Sequence, residues 1–236
     1  MSTLAGTTGA RAASRRRGGA GLTVGTPVVS TKQGGTSSAN FSATLPAYVP
    51  GDVWLMFVDI PGNLGQSTPS GWTLVGSEES SSSSSGTELT VFRRTPDGSE
   101  GSTVTVAWTG ATMRTCCVAI FPISGADTAS PMSGSLVGAS SSSGSTSLPH
   151  AGMTTAHNNA VVFDAMGQRF SSDATYTHAG GFTGKQEVYA PDSLADDMNL
   201  SVAYKVQAAA GATGAINGSS TAAAPWAHVA CAVRPA

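Results

Sequence analysis

Apolar and polar residues alternate at period two through Leu89-Thr90-Val91-Phe92-Arg93-Arg94-Thr95 and again through Thr103-Val104-Thr105-Val106-Ala107-Trp108-Thr109, the pattern of half-buried antiparallel strands. Between them lies Pro96-Asp97-Gly98-Ser99, a turn signal, so the pattern predicts a hairpin with a longer loop. Val53 to Val58 and Cys116 to Phe121 are instead continuously apolar and bounded by Gly51 and Pro122. Such runs fit strands buried on both faces of a sandwich. The β pattern holds from Leu22 onward. Only Asp192 to Met198, with Asp192 as cap, and Ala208-Ala209-Ala210 have helical character, each enough for a turn or two.

The pattern also repeats. Asp52-Val53-Trp54-Leu55-Met56-Phe57 corresponds to Asn159-Ala160-Val161-Val162-Phe163-Asp164 at a spacing of 107, and Gly71-Trp72-Thr73 to Gly181-Phe182-Thr183 at 110. Leu89 to Arg94 corresponds to Leu200 to Lys205, and Val118-Ala119 to Val229-Ala230, both at 111. Four matches in one order mark a duplicated set of strands. The chain divides into an arm over residues 1–21 and a body over 22–236, with repeats at about 22–125 and 126–236. The link from Ile123 to Pro131 is short and lacks spacer composition, which favours one merged jelly-roll-like antiparallel β-sandwich over two tandem ones.

Composition agrees with an all-β chain and adds a charge asymmetry. Charged residues are only 11% of the chain, with 12 basic against 14 acidic side chains. The arm holds Arg11, Arg15, Arg16 and Arg17 and no acid, which leaves the body at a net −6. Small and polar apart from Leu4, the arm cannot order itself and needs a partner. Four arginines without interleaved aromatics suit a protein surface rather than nucleic acid. No apolar run is long enough to span a membrane or to serve as a secretory signal. The cysteines, Cys116, Cys117 and Cys231, are odd in number, two of them adjacent, and all lie in apolar runs, so they read as core residues. Ser80 to Ser85, after Glu78-Glu79, and Ser140 to Ser143 read as solvated loop tips.

Catalytic signatures are missing. His150, His157, His178 and His228 sit in neither a G-x-S-x-G elbow nor an H-E-x-x-H helix, and His228, beside an apolar strand, reads as a hydrogen-bonded structural histidine. Asp192, Asp196 and Asp197 lack calcium-loop spacing, so neither metal nor other cofactor is expected, and no enzymatic activity. Trp72, Tyr176 and Phe182 stand near Gly- and Thr-rich strand starts and could contact a glycan. The equivalence of Trp72 and Phe182 in the two repeats favours a shared packing role.

Pro69-Ser70-Gly71-Trp72-Thr73-Leu74 is preceded by Pro50-Gly51-Asp52-Val53 and followed by a Leu-x-Val-Phe strand, Asp97-Gly98-Ser99-Glu100, Val104-Thr105-Val106 and Ile123-Ser124-Gly125-Ala126-Asp127. The second half carries Asn159-Ala160-Val161-Val162, Lys205 to Gly211 and a terminal Val233-Arg234-Pro235-Ala236. Together these resemble the duplicated β-sandwich proteins of tailed bacteriophage virions. The resemblance implies a head decoration, fibre or minor tail protein on the particle surface, without enzymatic activity and often trimeric. Its partners would be major capsid or tail proteins, joined through the arm, and a homotrimer is expected. The alternative is an adhesion module for host surface glycans. The matching residues are packing motifs, so no binding residue follows from them.

Overall fold

The computed structural model describes residues 21–34, 38–62, 64–80, 86–109, 115–192 and 197–236. The first half contributes β1 (Thr23–Val24), β2 (Val28–Lys32), β3 (Asn40–Thr44), β4 (Val53–Pro61), β5 (Gln66–Ser67), β6 (Thr73–Glu79), β7 (Thr87–Arg94), β8 (Thr103–Trp108) and β9 (Cys116–Ser124). The second contributes β10 (Val137–His150), β11 (Thr154–Thr155), β12 (Ala160–Arg169), β13 (Tyr176–His178), β14 (Thr183–Ala190), β15 (Met198–Gln207), β16 (Gly211–Ala212) and β17 (Ile216–Val233). No helix occurs among the described residues. The fold is all-β, and every ladder between strands is antiparallel.

Each half forms one six-stranded sheet. The first runs β1-β9-β4-β7-β6, with β2 also on β9; the second runs β10-β17-β12-β15-β14, with β13 also on β17. The two orders are the same order, strand for strand. The sheets face one another over a single core in which Leu55, Phe57, Val91 and Phe121 meet Phe163, Val202, Val229 and Cys231. The rings of Phe57, Phe121 and Phe163 lie within 5.4 to 5.9 Å of one another. Edge strand β14 lies against β2 and β9, and edge strand β6 against β10 and β17, so the packing is pseudo-twofold.

Outside each sheet lies a second layer. On the first half it is the three-stranded sheet β3-β8-β5, which closes Trp54, Met56, Trp72, Phe92, Val106 and Trp108 into their own cluster. On the second half β10 and β17 run beyond the sheet's width, with register shifts between Ser141 and Ser147, and their far ends join β13 as a cover. Both faces of β4 and β9 are therefore buried, as their continuous apolar runs require.

Four expectations need correction. First, Leu89–Thr95 and Thr103–Thr109 do not form a hairpin: β7 pairs with β4 and β6, whereas β8 pairs with β3 and β5. The Glu100 carboxylate accepts the Asp97 and Gly98 amides and pairs with Arg94 at 2.8 Å, and this turn lifts the chain to the outer layer. Val104 and Val106 then cover the outer face of the first sheet. Second, Ser140–Ser143 is no loop tip but part of β10, where Ser140 and Ser141 stand opposite Ala227 and Trp226. Third, Ala208–Ala210 lies outside any regular element, and Met198 opens β15; residues 193–196 fall outside the described residues.

The fourth concerns register. Asp52 to Phe57 and Val118-Ala119 are each matched one residue off. The inward residues Val53, Leu55 and Phe57 correspond to Val161, Phe163 and Ala165, a spacing of 108, and Ala119 and Phe121 to Val229 and Cys231, a spacing of 110. A slip of one residue exchanges the faces of a strand, and both faces here are apolar, so hydrophobicity alone does not fix the register. Leu89 and Val91 do correspond to Leu200 and Val202, and the strand pairs themselves are the ones matched.

Candidate functional site

The outward residues of β12 are Ala160, Val162, Asp164, Met166 and Gln168, and Asp164 falls where two apolar clusters meet. Ala160 and Val162 belong to one with Met153 and Ile216; Met166 belongs to the other with Tyr176 and Trp226. A carboxylate there must be paired, since an isolated buried charge costs far more than a buried polar group. Two histidines pair with it. Asp164 Oδ2 lies 2.6 Å from His178 Nδ1, and Oδ1 lies 2.5 Å from His228 Nε2. Burial would push the Asp164 carboxyl up, but the hydrogen bonds and charges of His178 and His228 outweigh it and hold the carboxyl at about 2.

A third histidine, His150, packs beside this pair. His228 Nδ1 faces the carbonyl oxygen of Leu148 at 2.9 Å, so both of its nitrogens meet oxygen acceptors. His150 packs beside it, tilted, at 5.0 Å between centroids, donates from Nε2 to Val137 O and accepts the Gly152 amide at Nδ1, which makes it neutral. Burial lowers its pKa, in keeping with that state. Gln168, fully buried, donates to Ala222 O and Ala224 O and holds the far end of β17.

His178 Nε2 completes the network at 2.8 Å from Ser201 Oγ on β15. Serine, histidine and aspartate thus stand in the arrangement of a hydrolytic triad. The surroundings do not support turnover. Ser201 and Asp164 are wholly buried, and the His178 side chain is 2% exposed. Ser201 pairs with Met166 on one side and Glu187 on the other, so ladder bonds occupy the neighbouring backbone amides and none is free to stabilise an oxyanion. What the arrangement does is pin β13, β17 and the end of β10 onto β12 and β15.

The residues proposed as a glycan contact are not brought together. Trp72 is 6% exposed and packs at 6.4 Å from Trp54, and Tyr176 is 2% exposed with its hydroxyl donating to Asn199 O. Both rings are buried. Phe182 is half-buried against the second half's outer cluster, with Lys205 Nζ 4.6 Å over its ring. The repeat explains both: Arg94 reaches Ser70 O and Lys205 reaches Gly180 O, equivalent cations strapping equivalent Gly-aromatic turns. Arg11, Arg15, Arg16, Arg17 and Asp196 lie outside the described residues. Asp197 accepts the Asp192 amide and the Tyr189 hydroxyl, and no metal-binding group of three or more such ligands occurs among the described residues.

Asp164 and Ser201 were not singled out by sequence, although one signal existed: Asp164 and His228 are the charged and ionisable interruptions of the two apolar strands at the centre of the second sheet. No known family matches this chain, and neither a curated protein nor a solved structure does.

Proposed function

We propose that this protein is a structural component of a tailed-phage virion, a head decoration, fibre or minor tail protein attached by its arginine-bearing arm and assembled as a homotrimer. One observation carries the non-catalytic part of this reading: the Ser201–His178–Asp164 arrangement is sealed within the fold and tied into ladders. The virion assignment rests on the sequence resemblance, and a doubly layered sandwich with few charged residues suits a displayed particle component.

Mass spectrometry of particles purified through a density gradient tests the assignment. The protein should be present at a fixed ratio to the major capsid or tail protein, and its absence from intact particles would overturn the reading. Deleting residues 1–21 should leave a folded body that no longer joins the particle, and Ser at the four arginine positions should make attachment more sensitive to salt. Full occupancy by the truncated body would move the anchor to the sandwich. Light scattering of the purified protein tests the trimer.

A further inference from the structure

Arg93 on β7 and Tyr204 on β15 hold equivalent places: Arg93 stands opposite Leu55 and Thr73, Tyr204 opposite Phe163 and Thr183. In the second half the position is filled. The Tyr204 ring lies 5.8 Å from Phe163 and 6.5 Å from Phe121, and a side chain at Gly184 would meet it at 2.2 Å. In the first half it is open. Arg93 is half-buried in the floor of a groove of about 410 Å³ between β6 and residues 132–136, with Leu74, Met132 and Leu136 as apolar wall and Ser77 and Ser135 as polar rim.

The groove lacks an anion. Arg94, Lys185 and Arg234 pair with Glu100, Glu187 and Asp127, but Arg93 has no hydrogen-bond or carboxylate partner among the described residues. One wall, β6, is the last strand of its sheet, so its outer backbone groups are not engaged in the ladder, and Leu74 is 50% exposed.

We propose that this groove binds an extended peptide segment carrying a carboxylate. The segment lies along β6 with its carboxylate on the planar fork of Arg93 and a neighbouring apolar side chain against Met132 and Leu136. The bulge between Leu74 and Gly76 breaks the flat edge, which favours a short segment over continuous strand stacking. Glu78 and Glu79 occupy the far end of β6 and repel a second acid there, so the carboxylate belongs at the Thr73 end. The site goes beyond the virion reading and stands or fails without it.

Fluorescence anisotropy on the full chain tests it, with a short labelled peptide alternating Leu and Asp and a Leu/Asn counterpart amidated at its C-terminus. The acidic peptide should bind about tenfold more tightly than the neutral one, Arg93→Gln should remove about that factor, and Arg93→Glu should prefer a Leu/Lys peptide. Hydrogen exchange should show the acidic peptide protecting amides within residues 73–77. Equal binding of acidic and neutral peptides, no binding of either, unchanged affinity in a folded Arg93→Gln, or protection elsewhere would each overturn the proposal.

Discussion

The two halves share one topology yet secure their outer layers by different physics. In the first, a separate three-stranded sheet lies on an apolar cluster containing Trp54, Trp72 and Trp108, held chiefly by burial, with polar ties such as the Thr44 amide to Ser30 Oγ and the Arg94–Glu100 pair at its rim. In the second, the far ends of β10 and β17 fold over two smaller clusters, and the seam between them is the Asp164–His178–His228–Ser201 network. Apolar burial is forgiving of position, whereas a buried ionic network stabilises only when every partner is present. The second half should therefore be the more brittle.

The largest effect should come from Asp164→Ala, which leaves His178 and His228 buried without the carboxylate that both face. Urea unfolding should show a loss of about 3–5 kcal/mol, and hydrogen exchange should rise in β13 and the far ends of β10 and β17 while β3 and β8 stay protected. Equal exposure of both outer layers would erase the distinction. Next, Trp72→Ala should lose about 3–5 kcal/mol as a buried aromatic, while Phe182→Ala, at the equivalent but half-buried place, should lose only about 1 kcal/mol. Thermal unfolding of both variants under one buffer measures the ratio.

Acid titration of stability sharpens the contrast through two buried aspartates. Asp59, in the shared core, is raised well above its usual value by burial, against the hydrogen bond it accepts from Thr87. Burial thus favours its protonated form in the fold, and stability rises as pH falls from its raised folded value toward the unfolded value of about 3.9. Asp164 is depressed, so its contribution is complete above about 3.9 and disappears as pH falls toward about 2. Each should contribute a slope of at most about 1.4 kcal/mol per pH unit, with opposite signs. Asp59→Asn should flatten the first limb and leave the second; a variant retaining both limbs would refute the assignment.

The smallest effect is a null one. Burial raises all three thiols, Cys231 to about 12, so Cys116, Cys117 and Cys231 should resist a maleimide in native buffer and react only after denaturation. Labelling of any one in the folded protein would place a gap in the core.

Strand identity was legible because β4, β9, β12 and β17 are apolar on both faces and stand out as runs. For the same reason their register was not: with apolar residues facing both ways, Val53 matches Ala160 as well as it matches Val161. The route of β8 was hidden because alternation says that one face is buried without saying against which sheet. Ser140 and Ser141 have no apolar pattern, yet they extend as a strand because β17 offers them a ladder. The His–Asp site was the least legible. Its members come from β12, β13, β15 and β17, over 64 residues between Asp164 and His228, and only the fold brings them within hydrogen-bonding distance.

Between the two sheets, a side chain on Gly167 of β12 would meet the Asp59 carboxylate of β4 at 2.6 Å. These are equivalent positions: Asp59 stands opposite Leu89 and Cys117, Gly167 opposite Leu200 and Ala227. Among the described residues no ladder joins the two sheets, and they meet mainly through side chains, like the isologous face of a two-subunit protein. In a dimer of one unfused half, that position would meet its own copy, and an aspartate on both sides would bring two carboxyls into contact with nowhere to move. Covalent fusion removes the constraint. One copy can keep the acid while the other gives up its side chain, an arrangement that exact twofold symmetry forbids.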